Sequence, residues 1–168
     1  MLNSIRNRLA HDSPYDRIDW GRKIPKRSLD RLLAAARRVC AQQPDLDLAW
    51  LHGSALRTGL CRDLDLGLVV RYGGPHPWDV AEAVRARLEA SDRPAWLPRA
   101  PVPWDVRPLN QAGPPFLFRV ISTGRCIFER SPGLRAFYEA QVMSLWIEFR
   151  PTWEEFGRRV LEEAVRGR

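Results

Sequence analysis

The segment from Asp47 to Val70, DLAWLHGSALRTGLCRDLDLGLVV, limits the folds open to this chain more than any other. It reads as strand, tight turn, short helical turn, strand. Leu48 to His52 forms the first strand, which ends in Gly53-Ser54, and Asp63 to Tyr72 forms the second. Ser54 to Thr58 suits one turn of helix with Gly59 as its C-cap. Strand side chains alternate faces, so Asp63 and Asp65 point one way. Leu64, Leu66, Leu68 and Val70 point the other way, into a core. Two carboxylates on one face repel each other and raise each other's pKa, and a divalent metal is the usual reason to tolerate them. The Gly-Ser turn offers backbone N–H groups and a hydroxyl to a phosphate. The stretch therefore points to metal-dependent phosphoryl or nucleotidyl transfer.

The rest of the chain supplies a core for this unit. At 168 residues and 45% apolar composition it suits one domain with a helical extension. Leu29, Leu32, Leu33, Ala36, Val39 and Cys40 recur at helical spacing, with Ser28 as the expected N-cap. Pro77 opens a second helix that runs to about Ala90 with Ala81, Val84 and Leu88 inward. Val102 to Leu109 reads as a third strand with Asp105 and Arg107 on one side. Phe116 to Thr123 reads as a short helix, and Arg125 to Glu129 as an edge strand. Ser131-Pro132 is expected to start a long helix that Pro151 breaks, leaving a helical pair to about Val165. Trp146, Phe149, Trp153 and Phe156 are many aromatics for so short a tail, and part of that stripe is a candidate anchor for a partner.

The expected organisation is an arm over residues 1–25, anchored by Trp20, a core over 26–130, and a helical extension packed on the core over 131–168. Net charge is +7, with 25 Arg against two Lys. Such a balance favours phosphate-bearing ligands, RNA or an acidic partner, although solubility explains it equally well, and direct nucleic-acid binding is not favoured. Cys40, Cys61 and Cys126 have no paired spacing, so neither a disulfide framework nor a zinc site is expected, and a reducing cytoplasm fits. Met1 to Ala10 does not read as a signal peptide, and no apolar run is long enough to span a membrane. His11, His52 and His76 are isolated and read as bystanders, as does Cys61.

Asp105 changes the weight of the aspartate pair. If Asp63, Asp65 and Asp105 stand on adjacent strands, they form a three-carboxylate site able to hold two Mg²⁺ roughly 3.5–4 Å apart. Gly53 and Ser54 would then face the phosphates, and Arg57 would help neutralise them. This arrangement resembles the nucleotidyltransferase superfamily related to polymerase β. The closest likeness is to the small prokaryotic minimal nucleotidyltransferases. LHGSALRTGLCRDLDLGLVV is similar to their first motif. VPWDVRPLNQAGPPFLFRVISTGRCIFERSP is similar to their stretch from the third carboxylate to an edge strand, and WIEFRPTWEEF to their closing helix. The resemblance implies an α/β (α+β) polymerase-β-like core, with a mixed sheet of about four strands flanked by helices and a C-terminal helical pair.

It also implies an antitoxin that uses ATP and Mg²⁺ to adenylylate a tyrosine of a cognate HEPN-type ribonuclease toxin. Asp63, Asp65 and Asp105 would be its catalytic and metal-binding residues, with Asp105 also able to act as base. Gly53, Ser54 and Arg57 would bind the nucleotide. The alternatives are an antitoxin that neutralises by binding alone, and a nucleotidyltransferase acting on a small molecule or RNA. The chain departs from the family pattern in four places. Only Ala55 to Arg62 separate Ser54 from Asp63, which is short for the family. Ala55 stands where arginine is common, Thr58 where glycine is common, and Gly113 is an extra residue in the Pro-Pro turn.

Overall fold

The computed structural model describes residues 22–24, 26–57, 60–91 and 103–167. Trp20 and nearly all of the expected arm lie outside the described residues, as do His11, the Thr58-Gly59 cap, the loop at 92–100 and Val102. Chain order begins with β1 (Arg22–Lys23), α1 (Lys26–Ala41), β2 (Leu46–His52), α2 (Ser54–Arg57), β3 (Leu60–Cys61) and β4 (Leu64–Val70). It continues with α3 (Pro77–Ser91), β5 (Trp104–Pro108), α4 (Pro114–Thr123), β6 (Arg125–Glu129) and α5 (Leu134–Arg166). Four strands form a mixed sheet in the order β5-β4-β2-β6, with β4 and β5 parallel and the other pairs antiparallel. β1 and β3 make a separate two-stranded ribbon. This is a polymerase-β-like architecture, with helices on both faces of one sheet.

The alternation in β4 sets the two faces. Leu64, Leu66 and Leu68 are completely buried against α1 and α3, and Val70 is buried at the end of the strand. Leu32, Leu33, Ala36, Val39 and Cys40 supply the α1 side of that core, and Ala81, Val84 and Leu88 the α3 side. On the opposite face Trp50 is 1% exposed and packs with Leu109, Leu117, Val120 and Val142 under α4 and α5. Asp65 and Asp105 lie on this second face, near its solvent-facing end. Gly67 shares it, and a Cβ there would meet the Leu109 side chain at 2.9–3.1 Å. A glycine is therefore needed at this point of a central strand for Leu109 to close over it.

Two of the basic residues are structural. Arg130 donates from Nε to the Leu46 carbonyl at 3.1 Å and from a terminal nitrogen to the Gln43 carbonyl. It thereby ties β6 to the α1–β2 turn. Arg37 donates to the Ile127 carbonyl at 3.1 Å.

Several boundaries differ from the sequence reading. α1 starts at Lys26, so Ser28 sits inside it and is not its cap. α4 begins at Pro114, because the first helical positions have no intrahelical partner for an N–H and lose nothing to proline. At α5 the cap is Gly133, at φ +91°, in place of Ser131, and Ser131 accepts from the Leu134 N–H across the turn at 3.2 Å.

The expected helical pair is also corrected: α5 runs through Pro151 without a break, from Leu134 to Arg166. A proline removes one hydrogen bond and crowds the carbonyl four residues back. Here that carbonyl belongs to Ile147, on a residue that is 65% exposed, so water can satisfy it.

Asn110 has a role that the sequence did not suggest. Its Nδ2 donates to the Val70 carbonyl at 2.7 Å, and its Oδ1 accepts from the Val70 N–H at 2.9 Å. The side chain thus extends the β4–β5 ladder where β5 ends. Asn110→Ala is expected to cost about 1 kcal/mol. In urea unfolding the midpoint should fall with the slope unchanged, and an unmoved midpoint would show the pair to be dispensable.

Candidate functional site

The site lies where β2 ends and where β4 and β5 begin. β2 runs out at His52, which stands level with Asp65 of β4 in the antiparallel register. Gly53 then turns the chain at φ +84°, and α2 starts at Ser54. Asp65 and Asp105 are direct register partners on the parallel strands β4 and β5, and Asp63 sits just before β4. The structure brings these three carboxylates together, with one oxygen of each within 4.8 Å of the others. All three are half-buried.

Close packing explains Gly53. A Cβ there would come to 2.0 Å from Asp65 Oδ2. The positive φ also favours glycine at this position. The turn backbone is therefore pressed directly against the carboxylate.

Burial and acidic neighbours both act on the Asp65 carboxylate. The pKa of Asp65 is raised, first by burial, then by Asp63 and Asp105, with Arg107 and Arg119 acting in the opposite sense. Arg107, two residues beyond Asp105 and on the same face, forks onto it. Nε lies 3.0 Å from each carboxylate oxygen, and a terminal nitrogen lies 2.8 Å from Oδ2. A guanidinium thus takes up one carboxylate of the cluster. That charge demand, with three carboxylate ligands converging, fits a divalent cation held by Asp63, Asp65 and Asp105.

A cavity of about 390 Å³ opens beside the carboxylates. Gly53, Ser54, Arg57, Asp65 and Asp105 line one side, and Phe116, Arg119 and Thr123 of α4 line the other. His52 forms part of the wall, 8% exposed, with its ring edge-on to Phe116 at 5.5 Å between centroids. Its pKa is lowered, first by burial and then by Arg119, so it is a neutral wall residue at physiological pH. Arg119 lies over the Phe116 ring at 5.4 Å. A larger groove of about 760 Å³ at the other end of this sheet face, lined by residues such as Leu48, Val69, Leu134 and Leu145, has no carboxylate cluster.

All six residues singled out from the sequence lie in this region: Asp63, Asp65 and Asp105 in the cluster, and Gly53, Ser54 and Arg57 beside the cavity. The sequence reading gave no site role to Phe116, His52 or Arg119 and placed Arg107 only beside Asp105 on one side of its strand. Strand alternation places Arg107 beside Asp105. Phe116 and Arg119 are one turn apart on α4, but nothing local says that α4 crosses the end of β2. Gly124 makes that crossing tight, since a Cβ there would lie 2.9 Å from the Leu51 carbonyl oxygen.

A family model described as polymerase beta, nucleotidyltransferase matches residues 35–133. Among solved structures, a chain of the tri-AMPylated Shewanella oneidensis HEPN toxin in complex with MNT antitoxin is similar at 13% identity and TM-score 0.57, covering 79% of this chain and 98% of that one. A toxin–antitoxin with AMP-PNP gives 15% identity and TM-score 0.56, with 79% and 98% covered. At these identities the likeness is one of fold. No curated protein matches the sequence.

Proposed function

The chain belongs to the polymerase beta, nucleotidyltransferase family, and on that premise we propose that it transfers AMP from ATP to a tyrosine hydroxyl of a cognate HEPN-type toxin, acting as the antitoxin. The observation that carries the reading is the carboxylate trio beside the Gly53 turn. The similar structures, described as containing an AMPylated toxin or AMP-PNP, support the nucleotide and the class of acceptor. The division into an arm, a core and a packed C-terminal extension belongs to this reading too. Among the described residues no helix is long and apolar enough to cross a membrane.

Asp63, Asp65 and Asp105 would hold Mg²⁺, which when bound neutralises the triphosphate and the departing pyrophosphate. Gly53 and Ser54 supply backbone N–H groups and a hydroxyl at the start of α2 for phosphate oxygens. Arg57 and Arg119 line the cavity and add positive charge there. The tyrosine oxygen bonds to the α-phosphorus as the bond to pyrophosphate breaks, and the Asp105 carboxylate takes the phenolic proton. Asp105 must first leave Arg107, whose side chain is 59% exposed and has room to swing away. Arg107→Gln removes this competing cation. The Mg²⁺ concentration giving half-maximal transfer is expected to fall several-fold, and a rise would show that Arg107 supports the loaded site instead.

The direct test incubates the protein with labelled ATP, Mg²⁺ and the product of the neighbouring gene, then measures the intact mass of that product. One or more added AMP groups on tyrosine are expected. Label appearing only on RNA or a small molecule, with the neighbouring protein unmodified, would redirect the acceptor assignment.

A further inference from the structure

α5 carries a seam that the chain itself only half covers. Val142, Trp146, Phe149, Trp153, Phe156 and Val160 alternate at spacings of four and three, the a/d pattern of helices that pair along their length. The first part is covered from within. Val142 is 1% exposed, and Trp146 stacks on Phe118 at 5.0 Å between centroids and 11° between planes. Beyond Phe149 the seam runs out over solvent. Trp153 is 46% exposed, Phe156 60% and Val160 47%. Phe149, Trp153 and Phe156 face one another at 6.2 and 6.3 Å along the helix. A contiguous apolar row of this kind on an exposed helix marks an interaction surface.

The flanks select the occupant. The positions bordering the exposed part of the seam are Arg150, Thr152, Gly157 and Arg159. Every charge among them is positive. Their carboxylate partners, Glu154 and Glu155, stand one turn away along the same helix, away from the seam border. A second copy of α5 would set these arginines against one another or against neutral residues, whether it ran parallel or antiparallel. Glu or Asp at the borders of a partner helix would face them in either direction. Gly157 adds to this. A Cβ there would meet no atom within 4 Å, so nothing in its own surroundings requires a glycine, which weakens a helix. Next to the seam, its missing side chain lets another backbone come close.

We propose that the α5 face from Phe149 to Val160 docks one amphipathic helix of a partner protein, with an apolar seam and acidic borders. The inference does not rest on the chemistry proposed for the carboxylate site, so transfer and docking can fail independently.

The test uses the full chain and two fluorescein-labelled synthetic helical peptides of about three heptads. Both carry leucine along the seam; one has glutamate at the borders and the other lysine. Fluorescence anisotropy should show saturable binding of the glutamate peptide, at least ten-fold tighter than the lysine peptide. Trp153→Glu and, separately, Phe156→Glu should each weaken it ten-fold or more. Both positions are exposed, so circular dichroism should be unchanged. Equal binding of the two peptides, or no binding of either, overturns the proposal. Sedimentation velocity covers the remaining occupant: a dimer that Trp153→Glu dissociates would assign the face to a second copy and also overturn it.

Discussion

Replacing Asp63 and Asp65 together by asparagine is expected to reduce AMP transfer by about three orders of magnitude or more. The two carboxylates would supply most of the charge that holds the metal ions, and such ions contribute several kcal/mol to stabilising phosphoryl-transfer transition states. The same change should not unfold the protein. Asp65 is ionised at a cost, because burial and its two acidic neighbours disfavour the charge. Asparagine keeps the shape and removes the repulsion, so thermal unfolding without metal should occur at the same temperature or higher. Intact-mass analysis of the partner and a melting curve of the variant together separate the two effects. Undiminished transfer would show that the cluster is not the metal site. If the variant still neutralises the toxin without modifying it, the antitoxin acts by binding alone.

Gly53→Ala should have the second largest effect. At φ +84° a side chain costs about 1–2 kcal/mol through backbone strain alone. The new Cβ would also lie 2.0 Å from Asp65 Oδ2, so either the turn or the carboxylate must move. Displacing a group by about 1 Å in an active site can cost on the order of 100-fold in rate, and a loss of that size in transfer is expected here. Gly73→Ala is the matched control. Gly73 has φ +78°, but a Cβ there would meet nothing within 4 Å. It should lose about as much stability from strain while transfer stays unchanged. Equal activity losses in the two variants would show that strain accounts for the Gly53 effect and that contact with Asp65 does not.

Much of this site could be read before the fold was known, because its inner half is local. His52, Gly53, Ser54, Asp63 and Asp65 lie within fourteen residues. Their relative placement follows from a strand period of two and one tight turn. The amphipathic stripe of α1 and the inward positions of α3 were legible for the same reason: each repeats within a few helical turns.

Helix ends were read less well. Ser28 and Ser131 are good cap residues by type, but α1 already starts at the exposed Lys26 and the turn at Gly133 delays α5. Pro151 was read as a stop because the local rule has no knowledge of which carbonyl faces water. The arginines were ambiguous as a group. Only the fold separates Arg130 and Arg37, tied to backbone carbonyls, from Arg107, tied to the carboxylate cluster.

By itself the sequence determined the unit from Leu46 to Val70. It set the face on which Asp65 stands, the glycine turn beside it and the leucines that bury the opposite side. Those features depend on backbone stereochemistry over short spans. The tertiary structure decided what depends on register between distant segments. β5 lies parallel to β4, with Asp105 level with Asp65. α4 crosses the end of β2, carrying Phe116 and Arg119 to the cavity. α5 continues past the body with its aromatic seam uncovered. Pairing across forty residues is chosen by the packing of the whole sheet, and a one-residue slip would turn Asp105 to the other face. No local pattern contains that choice, which is why a chance Asp-x-Asp becomes a candidate metal site only once the third strand is in place.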